Sequence, residues 1–210
     1  MGNNINKYSI GNGTHSTVIE NTDLWKPQCV CFSSDGDLLI GIMMYDSIKN
    51  IHSDARVLRY DSTGKETQVI EHDNTGQKLY CHPLYITENH NGDVIVSDLK
   101  NCVVVTDCEG WRRFSYKGPP SGSRLSSRGV CVDALSQILV CDCGSNTIQI
   151  ISKDGHFLSM FSIINNMFVS GGLEYDKKNH LLLVGTTDYN SVVCVYRYIQ
   201  RKDYFTDDFS

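Results

Sequence analysis

The sequence lacks both a basic excess and a long apolar run. Its 210 residues include 19 Lys and Arg against 24 Asp and Glu, which gives a formal net charge of −5. Proteins that bind DNA through its phosphates usually carry a basic excess, so we expect no DNA partner. The longest apolar run, Leu38 to Tyr45, is much shorter than the ~20 residues of a membrane helix. We therefore expect no membrane association.

The usual marks of secretion, zinc binding and catalysis are also missing. The first residues show neither the basic nor the apolar region of a secretory leader, so we expect a cytoplasmic protein with reduced thiols. No two of the nine cysteines have the C-x2-C spacing of zinc sites. No H-E-x-x-H, G-x-S-x-G or Walker pattern occurs. We expect no catalytic residue, no metal site and no cofactor, and therefore no enzyme.

Two cysteine pairs have C-x-C spacing, Cys29/Cys31 and Cys141/Cys143. In an extended strand this spacing places both thiols of a pair on one face. Such a pair is compatible with a metal or redox site, but cysteine is also a small apolar residue that packs in cores. We favour the packing interpretation, because C-x-C within a strand is not a usual zinc spacing.

What the sequence does contain is an internal repeat. Gly64, Gly110 and Gly155 follow one another at intervals of 46 and 45 residues, and Asp98 and Asp142 are 44 residues apart. Each unit holds three short apolar runs, rich in β-branched residues and separated by turn residues, and then a weaker fourth run. The fourth runs are Thr67 to Glu71, Trp111 to Tyr116 and Phe157 to Ser162. Four antiparallel strands in about 45 residues form the blade of a β-propeller.

The sequence therefore predicts an all-β fold, a single β-propeller of four-stranded antiparallel blades, of which about four are legible. We assign residues 27–82 to blade 1, 83–127 to blade 2, 128–169 to blade 3, 170–200 to blade 4 and 201–210 to a tail. Residues 1–26 hold an outer strand that belongs either to a preceding blade or to blade 4, where it would close the ring.

Blade 1 departs from the repeat in one place. Asp46 to Gly64 spans 18 residues, where Asp98 to Gly110 spans 12. The extra residues lie within the stretch from Ser47 to Ala55, between the second and third strands. We expect a loop here, which is either a binding loop or tolerated length variation.

The amino-acid sequence of the repeat resembles that of a known family. The segment from Asp142 to Ile148, followed by Asp154-Gly155, resembles the NHL repeat, and the segments that begin at Asp98 and Asp188 match the same positions. Residues 82–89 and 116–120 are similar to the C-terminal propellers of tripartite-motif (TRIM-NHL) proteins. The resemblance covers roughly residues 27 to 198 and implies a usually six-bladed propeller, relative to which this chain is incomplete or degenerate. It also implies a recognition module that selects a protein or an RNA for a ligase or a repressor complex.

Aspartates and asparagines recur at equal positions of the units: Asp98, Asn101, Asp142, Asn146, Asp188 and Asn190. Recurrence in every repeat indicates a structural role, because short polar side chains bond the backbone of turns. The alternative is a calcium or metal hydrolase site in the channel, as in propeller lactonases. That site would need different ligands from several blades, so we favour the structural role.

We predict a non-catalytic protein-interaction module that serves ubiquitin-ligase pathways when it is joined to a RING. The alternatives are an RNA-binding propeller in post-transcriptional repression and a metal-dependent propeller hydrolase or lyase. Cations are few for RNA, so a protein ligand is favoured. The candidate binding residues lie where the first strands of the blades begin or in the blade 1 insertion: Trp25, Lys26, Lys49, His52, His82, Arg128 and Phe168.

Overall fold

The computed structural model describes residues 4–9, 11, 13–19, 24–46, 51–100, 102–122, 124–163, 169–186 and 192–199. Its strands are β1 Ile5–Ser9, β2 Thr14–Ile19, β3 Trp25–Phe32, β4 Leu38–Asp46, β5 Ile51–Tyr60, β6 Glu66–Ile70, β7 Pro83–Glu88, β8 Val94–Asp98, β9 Cys102–Thr106, β10 Arg112–Tyr116, β11 Ser127–Val132, β12 Ile138–Asp142, β13 Thr147–Ile151, β14 Phe157–Ser162, β15 Val169–Asp176, β16 Leu181–Thr186 and β17 Val193–Tyr196. The described residues form no helix with the length and apolar character needed to span a membrane.

The strands pair in sequence order into antiparallel sheets. Blade 1 consists of β3 to β6, blade 2 of β7 to β10 and blade 3 of β11 to β14, each with four strands. In blade 4 the described strands are β15, β16 and β17. This confirms the all-β architecture of four-stranded antiparallel blades that the repeat predicts.

The blades pack face to face through apolar side chains that alternate along each strand. In β12, Ile138 and Val140 pack towards blade 2, whereas Leu139 and Cys141 pack towards blade 4. Strands of this kind are covered on both faces, which explains why their sequences read as nearly continuous apolar runs. Three such cores join the four blades in chain order. The first strands β3, β7, β11 and β15 follow one another side by side in chain order.

The N-terminal segment forms a hairpin of its own. Strand β2 pairs with β1, and Ile5 of β1 packs on the apolar cluster of Leu38, Ile40 and neighbouring residues on the face of blade 1 that points away from blade 2. This hairpin therefore stands where a preceding blade would stack. Among the described residues β2 does not pair with the strands of blade 4.

The insertion in blade 1 extends a hairpin and is not simply a loop. Asp46 pairs with Ile51, and Tyr45 pairs with His52, so that β4 and β5 reach nine and ten residues. The corresponding strands of blade 2, β8 and β9, have five residues each. The expectation of a loop from Ser47 to Ala55 is wrong for residues 51–55, because the inserted residues continue the backbone ladder and keep their amides and carbonyls paired.

The row of first strands has two ends, and these define two faces of the molecule, which we name by the direction of the strands. The upstream face is where β3, β7, β11 and β15 begin, and the downstream face is where they end. The turns that follow the second strands also lie on the upstream face. The turns that join the first strands to the second strands lie on the downstream face.

Candidate functional site

At the upstream face, Trp25 is half-buried and packs on the apolar cluster beside the N-terminal hairpin. The Arg56 guanidinium lies over the indole ring, 4.2 Å from its centroid. Such a stacked cation is favourable, but it covers one face of the ring. Much of the surface of Trp25 is therefore covered by other residues of the protein.

The aspartates at the ends of the second strands tie this face together. The buried Asp98 carboxylate accepts hydrogen bonds from the backbone amides of Cys81 and His82, at 2.7 and 2.6 Å, and of Lys100, at 3.0 Å. These bonds connect the turn after β8 to the chain that enters β7. A carboxylate with three amide donors is a strong structural link, because charged hydrogen bonds are stronger than neutral ones.

Asp142 repeats the arrangement in blade 3 and adds side-chain partners. Its Oδ1 accepts hydrogen bonds from the backbone amides of Ser126 and Gly144. Its Oδ2 accepts from the Ser145 hydroxyl at 2.6 Å and from the Gln149 amide at 2.8 Å. The sequence indicated the bonds to the turn, but not the bonds to the chain that enters the first strand.

The structure describes only some of the remaining site residues that the sequence predicts. His82 precedes β7, and its carbonyl accepts a hydrogen bond from the Leu99 amide, while Lys26 is half-buried on β3. Asn146 lies in the turn after β12 with a φ of 57°. The backbone of His52 lies in β5. The other predicted residues lie outside the described part of the chain: Lys49, Phe168, Asn101, Asp188 and Asn190.

Arg128 of β11 lies beside a pair of thiols at the upstream face. Its guanidinium and the Cys141 thiol both hydrogen-bond Cys143, and these contacts lower the pKa of Cys143 although partial burial opposes them. The pKa of Cys141 is raised by the hydrogen bond to Cys143 and by burial. All nine cysteines lie within the described residues, and none forms a disulfide bond.

At the downstream face, side chains from all four blades line one cavity of about 360 Å³. Its walls are the ends of the first strands and the turns that follow them. The lining residues are Cys31, Phe32, Ser33, Ser34, Thr87, Glu88, Asn89, His90, Cys131, Val132, Glu174 and Lys177. A cavity of this size is within the range of ligand-binding clefts.

One wall of the cavity is held by a charged cluster between blades 1 and 2. The Glu88 carboxylate accepts hydrogen bonds from the Arg59 guanidinium at 2.9 Å and from the backbone amide and hydroxyl of Ser34 at 2.8 and 3.0 Å. Arg59 also lies 3.5 Å from the Asp37 carboxylate. Because the side chain of Glu88 is only 5% exposed, its charge is balanced mainly by these partners.

Two lining residues have groups that a ligand could contact. Phe32 is 71% exposed at the rim of the cavity. Asn89 is 2% exposed, and its side-chain amide nitrogen has no hydrogen-bond partner among the described residues. A buried donor without an acceptor is unfavourable and uncommon.

The pKa values of the cavity thiols are shifted in the opposite direction to that of Cys143. Burial, and secondarily the negative charge of Glu88, raises the pKa of Cys31 to about 12. Burial also raises the pKa of Cys131, and Glu174 adds to the effect. Both thiols therefore stay protonated near neutral pH. Within the described ranges, no group of three or more His, Cys, Asp or Glu side chains is placed to share a metal ion.

None of the cavity residues was predicted from the sequence. The predicted binding residues Trp25, Lys26, His82 and Arg128 lie at the upstream face, whereas the cavity lies at the downstream face. The available signal was the set of turns after the first strands, such as Asn89-His90-Asn91-Gly92. These turns must share one face in a propeller, but each of them reads only as an ordinary hairpin turn.

No protein-family model matches the chain, and no curated protein matches it by sequence. Solved structures do match. A chain of a mitotic checkpoint complex is 13% identical with a TM-score of 0.68, over 93% of this chain and 55% of that one. The calcium-binding protein regucalcin from Agrobacterium tumefaciens is 16% identical with a TM-score of 0.59, over 85% of this chain and 60% of that one.

An inactive variant of virginiamycin B lyase from Staphylococcus aureus is 17% identical with a TM-score of 0.51, over 93% of this chain and 77% of the lyase. The chain spans 55% of the length of the checkpoint chain, and 58% and 64% of the length of two further matched structures. These proteins include both binding partners and enzymes. At this level of identity the comparison establishes the fold, which is that of a β-propeller.

Proposed function

We propose that this chain is a non-catalytic protein-interaction module that binds a peptide segment of its partner in the downstream cavity. The observation that carries the proposal is the cavity of about 360 Å³, to which all four blades contribute, with the exposed Phe32 at its rim. An aromatic side chain beside a pocket is the usual arrangement of an interface anchor.

The chemistry of the cavity suits a peptide. An extended peptide offers an apolar side chain to Phe32, which is exposed at the rim. The rim also carries Glu174 and Lys177, which suit polar side chains around an apolar contact. The proposed ligand is therefore a peptide with an apolar residue flanked by polar residues.

The residues at the upstream face favour a protein partner over RNA. Single-stranded RNA is bound by stacking its bases on aromatic rings and by cations that contact its phosphates. Arg56 already covers one face of the Trp25 ring, and the chain has a net charge of −5. We therefore retain RNA binding only as an outcome of the test below.

We further propose that this module selects substrates for a ubiquitin ligase of the tripartite-motif type, when a RING is joined to it. The support is the resemblance of the segments at Asp98 and Asp142 to NHL repeats, together with the propeller fold. The chain covers 58% and 55% of two matched structures. The proposal therefore concerns a larger protein or complex of which this module would be one part.

The test uses a random peptide library displayed on phage and selected on the full chain. The variant is Phe32→Ser, and the matched control is Trp111→Ser, an aromatic residue that is 52% exposed and does not line the cavity. We expect the dissociation constant of selected peptides to rise at least about tenfold for Phe32→Ser. We expect little change for Trp111→Ser.

Two results would contradict the proposal. One is that repeated selections return no peptide that binds, and the other is that the selected peptides bind Phe32→Ser and wild type equally well. If Arg128→Gln alone weakens binding, the site lies on the upstream face. If the chain instead binds single-stranded RNA with an affinity that falls steeply with salt, the RNA alternative replaces the protein one.

A further inference from the structure

The second C-x-C pair stands apart from the other thiols of the molecule. Cys141 is the fourth residue of β12 and is fully buried in the core between blades 3 and 4. Cys143 lies in the turn that follows and is only half-buried. A half-buried thiol thus has a fully buried thiol within hydrogen-bonding reach, and both belong to the same apolar cluster.

The backbone around this pair is held in place. The carboxylate of Asp142, which separates the two cysteines, accepts four hydrogen bonds. The Cys143 amide donates to the Ser126 carbonyl at 3.0 Å. The turn therefore holds Cys143 at the upstream face, within hydrogen-bonding reach of the Cys141 thiol and the Arg128 guanidinium.

The pKa values of the two thiols are shifted in opposite directions, although burial and the Asp142 carboxylate oppose the shift at Cys143. Arg128 and the Cys141 thiol both stabilise a Cys143 thiolate, and they lower the pKa of that residue. Cys141 is buried and donates its hydrogen bond to Cys143, so its pKa is raised. The thiolate is the nucleophilic form of cysteine, and a neighbouring cation favours it.

We propose that Cys143 and Cys141 form a peroxide-sensitive thiol site, in which Cys143 reacts first with a hydroperoxide and Cys141 then closes a disulfide. In the first step the Cys143 thiolate attacks the terminal peroxide oxygen. The O–O bond breaks, an S–O bond forms, and the released alkoxide takes a proton from water and leaves as an alcohol.

In the second step the Cys141 sulfur attacks the Cys143 sulfenic acid. The S–O bond breaks, an S–S bond forms, and the hydroxide leaves as water with the proton of the Cys141 thiol. The two thiols are oxidised and one hydroperoxide is reduced. A neighbouring arginine and a resolving thiol are the features that distinguish such sites from inert buried cysteines.

The same protein contains internal controls for this site. Cys108 is exposed and single, so it reports the reaction of an ordinary accessible thiol. Cys29 and Cys31 have the same C-x-C spacing, but burial raises the pKa of each to about 12. If spacing alone created the reactivity, the first pair would react as the second does.

The first experiment measures alkylation of each cysteine in the folded full chain by iodoacetamide, with mass spectrometry of the peptides, between pH 5.5 and 9. We expect the rate at Cys143 to reach its half-maximum at a lower pH than the rate at Cys108. At pH 6.5, Arg128→Gln should slow Cys143 about five- to tenfold, since each pKa unit changes the thiolate fraction about tenfold. Coincident pH profiles for Cys143 and Cys108 would overturn the proposal.

The second experiment treats the protein with hydrogen peroxide. In wild type we expect a Cys141–Cys143 disulfide, located by fragment ions because Cys131 lies on the same tryptic peptide. Cys141→Ala should instead accumulate a dimedone adduct at Cys143, and Cys143→Ser should lose both products while keeping the wild-type thermal midpoint. The proposal fails if wild type accumulates the adduct without the disulfide, or if Cys143 oxidises no faster than Cys108.

Discussion

The upstream and downstream faces each place a cysteine beside charged groups, but the pKa of the thiol is shifted in opposite directions. At the upstream face, the Arg128 guanidinium and the Cys141 thiol lower the pKa of Cys143. At the downstream face, burial and the carboxylate of Glu88 raise the pKa of Cys31 to about 12. Both cysteines belong to C-x-C pairs, so residue type and spacing do not determine the pKa of a thiol. The neighbours that the fold supplies determine it.

The faces also differ in how they use carboxylates. At the upstream face, the oxygens of Asp98 and Asp142 are occupied by backbone amides and neighbouring side chains. At the downstream face the same side-chain types surround a cavity, and the Asn89 amide nitrogen there has no described partner. The upstream carboxylates therefore stabilise the blades, whereas at the downstream face Glu88 is paired with Arg59 and exposed residues such as Phe32 line the cavity.

The largest expected effect tests the structural role of the upstream carboxylates. Asp142→Ala removes the acceptor of four hydrogen bonds and leaves buried donors unpaired, so we expect a loss of about 4 kcal/mol in the free energy of unfolding. Urea denaturation measures it. The downstream control Glu174→Ala should change stability by less than about 0.5 kcal/mol, because its side chain is exposed. Equal losses in both variants would remove the contrast between the faces.

The next effect concerns the charged cluster that supports the cavity. Arg59→Leu leaves the buried Glu88 carboxylate without its cation, so we expect a loss of about 2 to 3 kcal/mol. Adding Glu88→Gln to that variant should recover part of the loss, because the uncompensated charge is removed. Chemical denaturation of the two variants and wild type decides this. No recovery in the double variant would contradict the electrostatic explanation.

A smaller effect is expected in the pH dependence of stability. Burial raises the pKa of Asp133, although the Tyr198 hydroxyl donates a hydrogen bond to its carboxylate. Because the native state then holds the proton more tightly than the unfolded state, stability contributed by this group falls as pH rises from about 4 through the folded-state pKa.

Asp133→Asn should therefore flatten the fall of unfolding free energy with pH in that window. Urea denaturation at a series of pH values measures the slope, with Asp35→Asn on an exposed turn as the control variant. Parallel curves for wild type and Asp133→Asn would show that the carboxyl does not titrate differently in the folded state.

The smallest effect probes the charges around the downstream thiol. Glu174 adds to the raised pKa of Cys31, but burial is the main cause. Glu174→Gln should therefore increase the alkylation rate of Cys31 only about twofold, since a small pKa change alters the thiolate fraction little. The same mass-spectrometric assay detects it. A tenfold increase would mean that charge, and not burial, protects Cys31.

Much of the fold is predictable because strand signals are local. The fourth runs predicted for blades 2 and 3 correspond closely to β10 and β14, and the one for blade 1 differs from β6 by a single residue at each end. The blade 1 insertion is harder to predict, since the same residues fit a loop or a longer hairpin. Their pairing with Tyr45 and Asp46 resolves the choice.

The candidate site is less predictable because its parts come from distant positions. Phe32, Glu88 and Glu174 lie on three different blades and have no common motif. The recurrent aspartates point to turns, but their partners Cys81, His82 and Ser126 lie 16 to 17 residues earlier in the chain. A pattern of residue types does not report such contacts.

The sequence by itself determined the repeat, the all-β class and the alternation of apolar side chains, because these depend on short-range backbone preferences and on the two-residue period of a strand. Only the tertiary structure decided which face holds the cavity, which cysteine lies beside Arg128, and which carboxylates are occupied by backbone amides. Those properties depend on charges and donors that packing brings together from separate blades. They are set by distance in space, which the order of residues does not record.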